Sequence, residues 1–160
     1  LPEVAPLDLN ELVGEVLGLY ESSSAVIDTH LADDLPPVLG DATQLRQVIH
    51  NLLRNSEDAL EGRAAAHIRI VTEQTGKRAR LLIADNGPGF PVELLPRIFE
   101  PYVTTKARGT GLGLPIVKKI VEEHQGSIEI SNAPEGGARI DIHLPLVKEE
   151  EAKHGNHSGR

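Results

Sequence analysis

Leu81-Leu82-Ile83-Ala84-Asp85-Asn86-Gly87-Pro88-Gly89 carries an apolar run into a carboxylate and then into residues that no regular element tolerates. The first four read as a buried strand, and Asp-Asn-Gly-Pro-Gly breaks it abruptly. Asp85 therefore stands at the end of a strand, where the chain turns. Gly87 and Gly89 permit backbone conformations closed to other residues and let a ligand approach the chain. A carboxylate so placed can accept a hydrogen bond from an exocyclic amine such as adenine's. That contact discriminates, because a ligand without the amine leaves the acid unpaired. Taken alone, the pattern also suits a tight turn with an Asx-type hydrogen bond.

Upstream, His67 to Thr72 is a second strand-like run, joined to Ala79–Ala84 through Thr75-Gly76-Lys77, a hairpin turn. Before it, Asp41 with Gln44 makes a capping box that opens a helix along Leu45, Val48, Ile49, Leu52, Leu53 and Leu60. On this helix Asn51 and Asn55 are four residues apart, one above the other, flanking the apolar stripe. Two neutral carboxamides at a core edge can face a cavity, and a carboxamide oxygen suits Mg²⁺, which takes waters and phosphates as its other ligands. Ordinary boundary residues would look the same. Further back, Val26 to Leu31 reads as a strand ending at Pro36-Pro37. Asp8 with Glu11 caps a helix bearing Leu9, Leu12, Val13, Val16, Leu17 and Tyr20. Residues 1–7, punctuated by Pro2 and Pro6, read as an extended linker remnant.

Downstream, a short helix is expected over Val92 to Ile98, and Glu100 to Gly111 has no periodicity and reads as a mobile loop. Gly109-Thr110-Gly111-Leu112-Gly113-Leu114 then leads into a helix with Pro115 in its first turn, Ile116, Val117, Ile120 and Val121 on its buried face, and Gly126 as its stop. Glycines at alternate positions free backbone N–H groups to converge on an anion, and the helix N-terminus adds partial positive charge. Lys106 and Arg108 can neutralise phosphate charge. Without Gly-Lys-Ser/Thr or a preceding strand, the segment is neither a Walker loop nor a dinucleotide fingerprint. A flexible linker with a helix cap is the plainer alternative. Ile128 and Ile130 alternate in a strand, Pro134-Glu135-Gly136-Gly137 turns, and Ile140, Ile142 and Leu144 alternate in its partner. Strands paired largely through hairpins, with helices able to cover one face, predict an α+β two-layer sandwich; a Rossmann sheet would alternate throughout.

The 160 residues suit one domain, residues 8–147, followed by a polar tail over 148–160 expected to be disordered. Aromatic content is 2%, so the core must be built from Leu, Ile, Val and Ala. A net charge of −8 with no basic stripe argues against a nucleic-acid partner. The absence of Cys rules out disulfides, thiolate metal sites and Cys nucleophiles, and fits a reducing compartment. No apolar run approaches the ~20 residues of a membrane helix. The expectation is a cytoplasmic domain without membrane contact of its own, any inner-membrane anchor of a parent protein lying outside this chain. The seven His read as structural or solvated.

Taken in order, these segments resemble the GHKL superfamily of ATP-binding domains, named for gyrase, Hsp90, histidine kinases and MutL, and within it the histidine-kinase branch. His50-Asn51-Leu52-Leu53-Arg54-Asn55 matches the N box, Asp85-Asn86-Gly87-Pro88-Gly89-Phe90 the first glycine box, Ile98-Phe99-Glu100-Pro101-Tyr102 the F box, and Gly109 to Leu114 the second glycine box. The resemblance spans roughly Asp8 to Leu146. It implies a Bergerat fold, with a mixed, mostly antiparallel sheet, helices on one face, and ATP between the N-box helix and a lid. It further implies that Asn55 coordinates Mg²⁺, Asn51 sits beside the phosphates, and Asp85 binds the adenine amino group in a pocket shaped by Gly87 and Gly89. Gly109, Thr110, Gly111, Leu112, Gly113 and Leu114 would approach the phosphates, and Phe99 to Arg108 would form the ATP lid. Thr104, Thr105 and Lys106 resemble the lid of nitrogen-regulation sensor kinases, as does the lead-in through Asp8-Leu9-Asn10-Glu11-Leu12.

One position separates reaction types. GHKL members that hydrolyse ATP or phosphorylate serine carry Glu four residues before the Mg²⁺-binding Asn, as general base. Here that position is Asn51, which cannot take a proton, so the implied acceptor is a neutral imidazole. The implied partners are ATP and ADP, a histidine-bearing dimerisation domain of the same sensor protein, and a cognate response regulator. The chain departs from the family in having no His in a phosphoacceptor motif. Asp58 stands where many members have a basic residue, leaving it a Mg²⁺-linked water to hold, and the last glycine box is reduced to Gly136-Gly137-Ala138. A nucleotide-responsive docking module and a free-standing ATPase are the competing expectations. Alanine at Asn55 or Asp85 is expected to abolish nucleotide binding with little loss of thermal stability.

Overall fold

Two aspartates start the two long helices. In the computed structural model, which describes residues 2–103 and 113–148, the Asp8 carboxylate accepts the Glu11 N–H at 3.0 Å and opens α1 (Leu9–Leu17), which tightens into a 3₁₀ turn over Gly18–Tyr20. The Asp41 carboxylate accepts the Gln44 N–H at 3.2 Å and opens α2 (Ala42–Leu60). The return half of this second capping box is not made. His124 lies 3% exposed just beyond α3 (Gly113–Glu123), its Nδ1 2.8 Å from the Ile120 carbonyl. A carbonyl can only accept, so Nδ1 carries the proton and Nε2 accepts. Nε2 takes the Asp41 N–H at 3.0 Å, and Gln44 Oε1 is left buried without a partner among the described residues.

The main sheet comprises β2 (Val26–Leu31), β4 (His67–Thr75), β5 (Arg78–Asp85), β6 (Ser127–Asn132) and β7 (Ala138–Pro145), in the order β2-β4-β5-β7-β6. β2 runs parallel to β4, and the other pairs are antiparallel. Side chains alternate across a strand, so Ile68 and Ile70, Leu81 and Ile83, and Ile140 and Ile142 all point to one face. There they join Leu9, Val13, Leu45, Ile49, Leu52, Val117 and Val121 of the three helices in a single core. The opposite face is polar and centres on Arg80, whose Nε donates to Asp141 at 2.7 Å and whose Nη1 donates to Glu73 at 3.0 Å. The architecture is the expected α+β two-layer sandwich, mixed and mostly antiparallel, with helices on one face.

Several local expectations are revised. Ala5–Leu7, read as linker, forms β1 and pairs antiparallel with β3 (Val38–Gly40), extending the fold upstream of Asp8. The short helix expected over Val92 to Ile98 does form, as a 3₁₀ helix over Val92–Arg97, with Pro96, which has no N–H to donate, inside it. Ile116 is 41% exposed and leaves the buried face of α3. The left-handed residue after α3 is Gln125 (φ 60°), so Gly126 is not needed for backbone freedom. It is needed for clearance, since a Cβ there would collide with the His143 carbonyl oxygen. Thr104, Thr105, Lys106, Arg108, Gly109, Thr110, Gly111 and Leu112, and the tail beyond Lys148, lie outside the described residues.

Candidate functional site

β5 delivers Asp85 to the edge of the helical layer, where the acid is 7% exposed. Its Oδ1 accepts the Gly87 N–H at 2.9 Å and, at the long limit of 3.4 Å, the Ala138 N–H. The first contact is the Asx-type turn bond anticipated from the sequence, and it orients the carboxylate. A Cβ on Gly87 would sit 3.4 Å from the Ala59 carbonyl oxygen, so the turn rests against the last turn of α2. Gly137, at φ +94°, packs so closely that a Cβ would overlap the Asp85 carbonyl oxygen. Asn86 sews the turn to the sheet: its Oδ1 accepts the His67 N–H and its Nδ2 donates to the Ala65 carbonyl, each at 2.8 Å.

Along α2, Asn51 and Asn55 are half-buried at the margin of the Leu45/Val48/Leu52 stripe, and Asp58 is exposed. Asn55 Nδ2 is buried with no hydrogen-bond partner among the described residues. Such an orphan costs about 1–3 kcal/mol unless something beyond the described residues meets it. Which end of the amide carries nitrogen follows only from its partners, so the orphan marks the carboxamide as a whole. Tyr20 braces the helix one residue before Asn51, with its hydroxyl 2.9 Å from His50 Nδ1. Burial first, and then the negative charge of Glu57, raises the Tyr20 pKa above its ordinary value, so the hydroxyl stays protonated at neutral pH.

Beyond the turn, Phe90, Ile98 and Ala138 form a small second cluster, with Phe99, Leu114, Leu95 and Ile130 partly buried around it. Lys118 Nζ lies 4.7 Å from the centre of the Phe99 ring, within cation–π range. Phe99 and the Gly113-Leu114 start of α3 thus converge, although they flank the segment outside the described residues. Three residues beside the Asp85 turn have little or no role in the sequence reading. Gly137 and Ala138 enter it only through the reduced last glycine box, Gly137 also as a hairpin-turn residue, and Asn132 does not enter it. Only the antiparallel return of β7 beside β5 brings them to the Asp85 turn.

With this geometry in hand, the comparisons fix the class. Residues 40–148 match the family described as histidine kinase-, DNA gyrase B- and HSP90-like ATPase, and the chain belongs to that family. The domain has the sequence and fold of the catalytic domain of sensor histidine kinases. It is 33% identical to the catalytic domain of histidine kinase ThkA, with a TM-score of 0.80 over 90% of this chain and 96% of that one. Among curated proteins it is similar to nitrogen-regulation sensors. It is 46% identical over 68% of its length to a putative NtrY-like sensor histidine kinase of Rickettsia felis, covering 18% of that protein. It is 34% identical over 93% of its length to the sensory histidine kinase/phosphatase NtrB of Rhodobacter capsulatus, covering 46% of that protein. The chain therefore spans less than half the length of these curated relatives. Among the described residues, no helix is long and apolar enough to cross a membrane.

Proposed function

We propose that this domain binds Mg-ATP and donates the γ-phosphoryl group to a histidine on a dimerisation domain of the same sensor protein, for onward transfer to a cognate response regulator. The observation that carries the reading is the buried Asp85 carboxylate at the end of β5, held by the N–H of Gly87, which itself rests against the last turn of the helix that bears Asn55. A carboxylate oriented in this way suits the exocyclic amine of adenine and disfavours a purine with a carbonyl there.

The residues fit a magnesium nucleotide. Asn55 has an unmet amide at the margin of the apolar stripe of α2, and no group of three or more His, Asp or Glu that could hold a metal gathers among the described residues. A cation here would draw on one carboxamide, waters and phosphate oxygens, the donor set Mg²⁺ prefers. Bound Mg²⁺ would neutralise phosphate charge as the γ-phosphoryl departs. Asn55 would hold it, Asn51 would orient the phosphates, and Asp58 would hold a metal-linked water. Lys106 and Arg108, with the N–H groups of Gly109 to Leu114, would meet the phosphates from the lid that begins at Phe99. Asn51 cannot act as a base, so the acceptor must arrive as a nucleophile already free of its proton, which a neutral imidazole is. Two similar proteins support the wider reading: histidine kinase ThkA forms a complex with the response regulator protein TrrA, and full-length ShkA a complex with AMPPNP. The catalytic work would be cytoplasmic, any membrane anchor lying elsewhere in the parent.

The test incubates the domain with γ-labelled ATP and a separately produced histidine-bearing helical domain. Acid-labile label on the helical domain, dependent on Asn55, is expected. Phosphate release by this chain alone, or tight ATP binding with no transfer, contradicts the proposal.

A further inference from the structure

The turn from Asn86 to Phe90 must hold its shape if Asp85 is to read a base, yet its middle is Gly87-Pro88-Gly89. Glycine gives a turn freedom, not stiffness, so the rigidity has to come from outside. Asn132, the last residue of β6, provides it. Its Oδ1 accepts the Phe90 N–H at 2.8 Å and its Nδ2 donates to the Phe90 carbonyl at 2.7 Å. The two bonds fix the amide's orientation, because an N–H can meet only the oxygen end and a carbonyl only the nitrogen end. One side chain thus serves both backbone groups of a residue, as a neighbouring strand would. The clamp is close-fitting: Gly89 is at φ +75°, and a Cβ on it would lie 2.7 Å from Asn132 Oδ1. The hairpin that carries Asn132 also supplies Gly137 against the Asp85 carbonyl and the Ala138 N–H toward the Asp85 carboxylate.

We infer that Asn132 is a positioning residue for base selectivity: by clamping Phe90 it fixes the glycine turn, and through it the Asp85 carboxylate that discriminates adenine from guanine. The inference rests on the proposed reading of Asp85. Selectivity needs a fixed acid, because one that can shift finds a compromise with a guanine carbonyl through water, and the difference in affinity shrinks. A merely structural role predicts otherwise. Lost stability lowers the folded fraction and weakens ATP and GTP by the same factor, leaving their ratio unchanged.

The experiment measures Kd for Mg-ATP and Mg-GTP by calorimetry on the full chain, together with the melting temperature, in three variants. Asn132→Ala removes both bonds, and Asn132→Asp keeps the acceptor while setting an oxygen against the Phe90 carbonyl. Asn10→Ala is the control: it disrupts a polar contact with Ala32 and Thr72 that lies away from the turn. The expected result is a fall of about tenfold in the GTP-to-ATP Kd ratio for both Asn132 variants, the scale of one or two hydrogen bonds. Asn10→Ala should lower the melting temperature and keep the ratio. If Asn132→Ala does not fold, Asn132→Asp alone decides. An unchanged ratio in a folded Asn132 variant overturns the inference. Asp85→Ala separates the two failures. If it leaves the ratio unchanged, the reading of Asp85 is wrong; if it collapses the ratio while Asn132 variants do not, only the role of Asn132 is.

Discussion

The two sides of the proposed nucleotide site differ in how they treat their polar groups. On the sheet side, Asp85, Asn86 and the Phe90 backbone are engaged by Gly87, Ala138, His67, Ala65 and Asn132. On the helix side, Asn55 presents a buried amide nitrogen that nothing among the described residues meets. The sheet side is held by bonds within the chain, and on the proposed reading the helix side would be completed by a ligand. If the proposed function holds, preorganisation of the first would give selectivity, and the unmet group of the second would give dependence on the metal nucleotide.

Alanine at each side breaks the comparison most sharply. Asp85→Ala and Asn55→Ala should each reduce Mg-ATP affinity at least about 100-fold by calorimetry, as expected for loss of a buried or metal-bound contact. Their thermal melts should part company. Asp85→Ala leaves the Gly87 and Ala138 N–H groups without their acceptor and should cost about 1–3 kcal/mol. Asn55→Ala removes a group that is unsatisfied among the described residues and should be near neutral. The expectation of little stability loss from both variants is thus revised for Asp85, and equal melting temperatures would contradict the asymmetry.

Gly137→Ala tests the rigidity of the sheet side from behind. With φ at +94° and the Asp85 carbonyl in the way, it should destabilise the chain by about 3 kcal/mol in a denaturant melt. Nucleotide affinity should fall with it. Gly113→Ala is the counterpart: a Cβ there meets nothing within 4 Å among the described residues, and the change should leave stability nearly unchanged.

The smallest effect is set by pH at the start of α2. The Glu3 N–H, and then the Gln44 N–H, hold the Asp41 pKa below the ordinary carboxylate range. A lowered folded pKa means that this stabilisation is complete above the unfolded value and disappears as pH falls through the folded one. Melting temperature should therefore drop below about pH 4, and Asp41→Asn should make that drop shallower. An unaltered acid limb would show that this carboxylate contributes nothing.

What the sequence made legible was local. The caps at Asp8 and Asp41, the alternation of β4, β5 and β7, and the break at Asp85 depend on residues within a turn of one another. The readings that failed depend on distant partners. Gln44 sits where a capping box needs it, but His124, 83 positions from Asp41, takes the Asp41 N–H first. Ala5–Leu7 has linker chemistry and becomes a strand because Val38–Gly40 offers an edge. Asn132 carries no local signature at all, since its importance arises only when β6 is brought 42 residues back to Phe90.

The central claim is that α2 and the Asp85 turn form one nucleotide cavity. The most direct test is a calorimetric titration of the folded chain with ATP, with and without magnesium. The account predicts a saturable one-to-one heat that weakens when magnesium is withheld and is absent with GTP at the same concentrations. A flat titration of a sample with an intact melting transition, or equal heats for both purines, contradicts it.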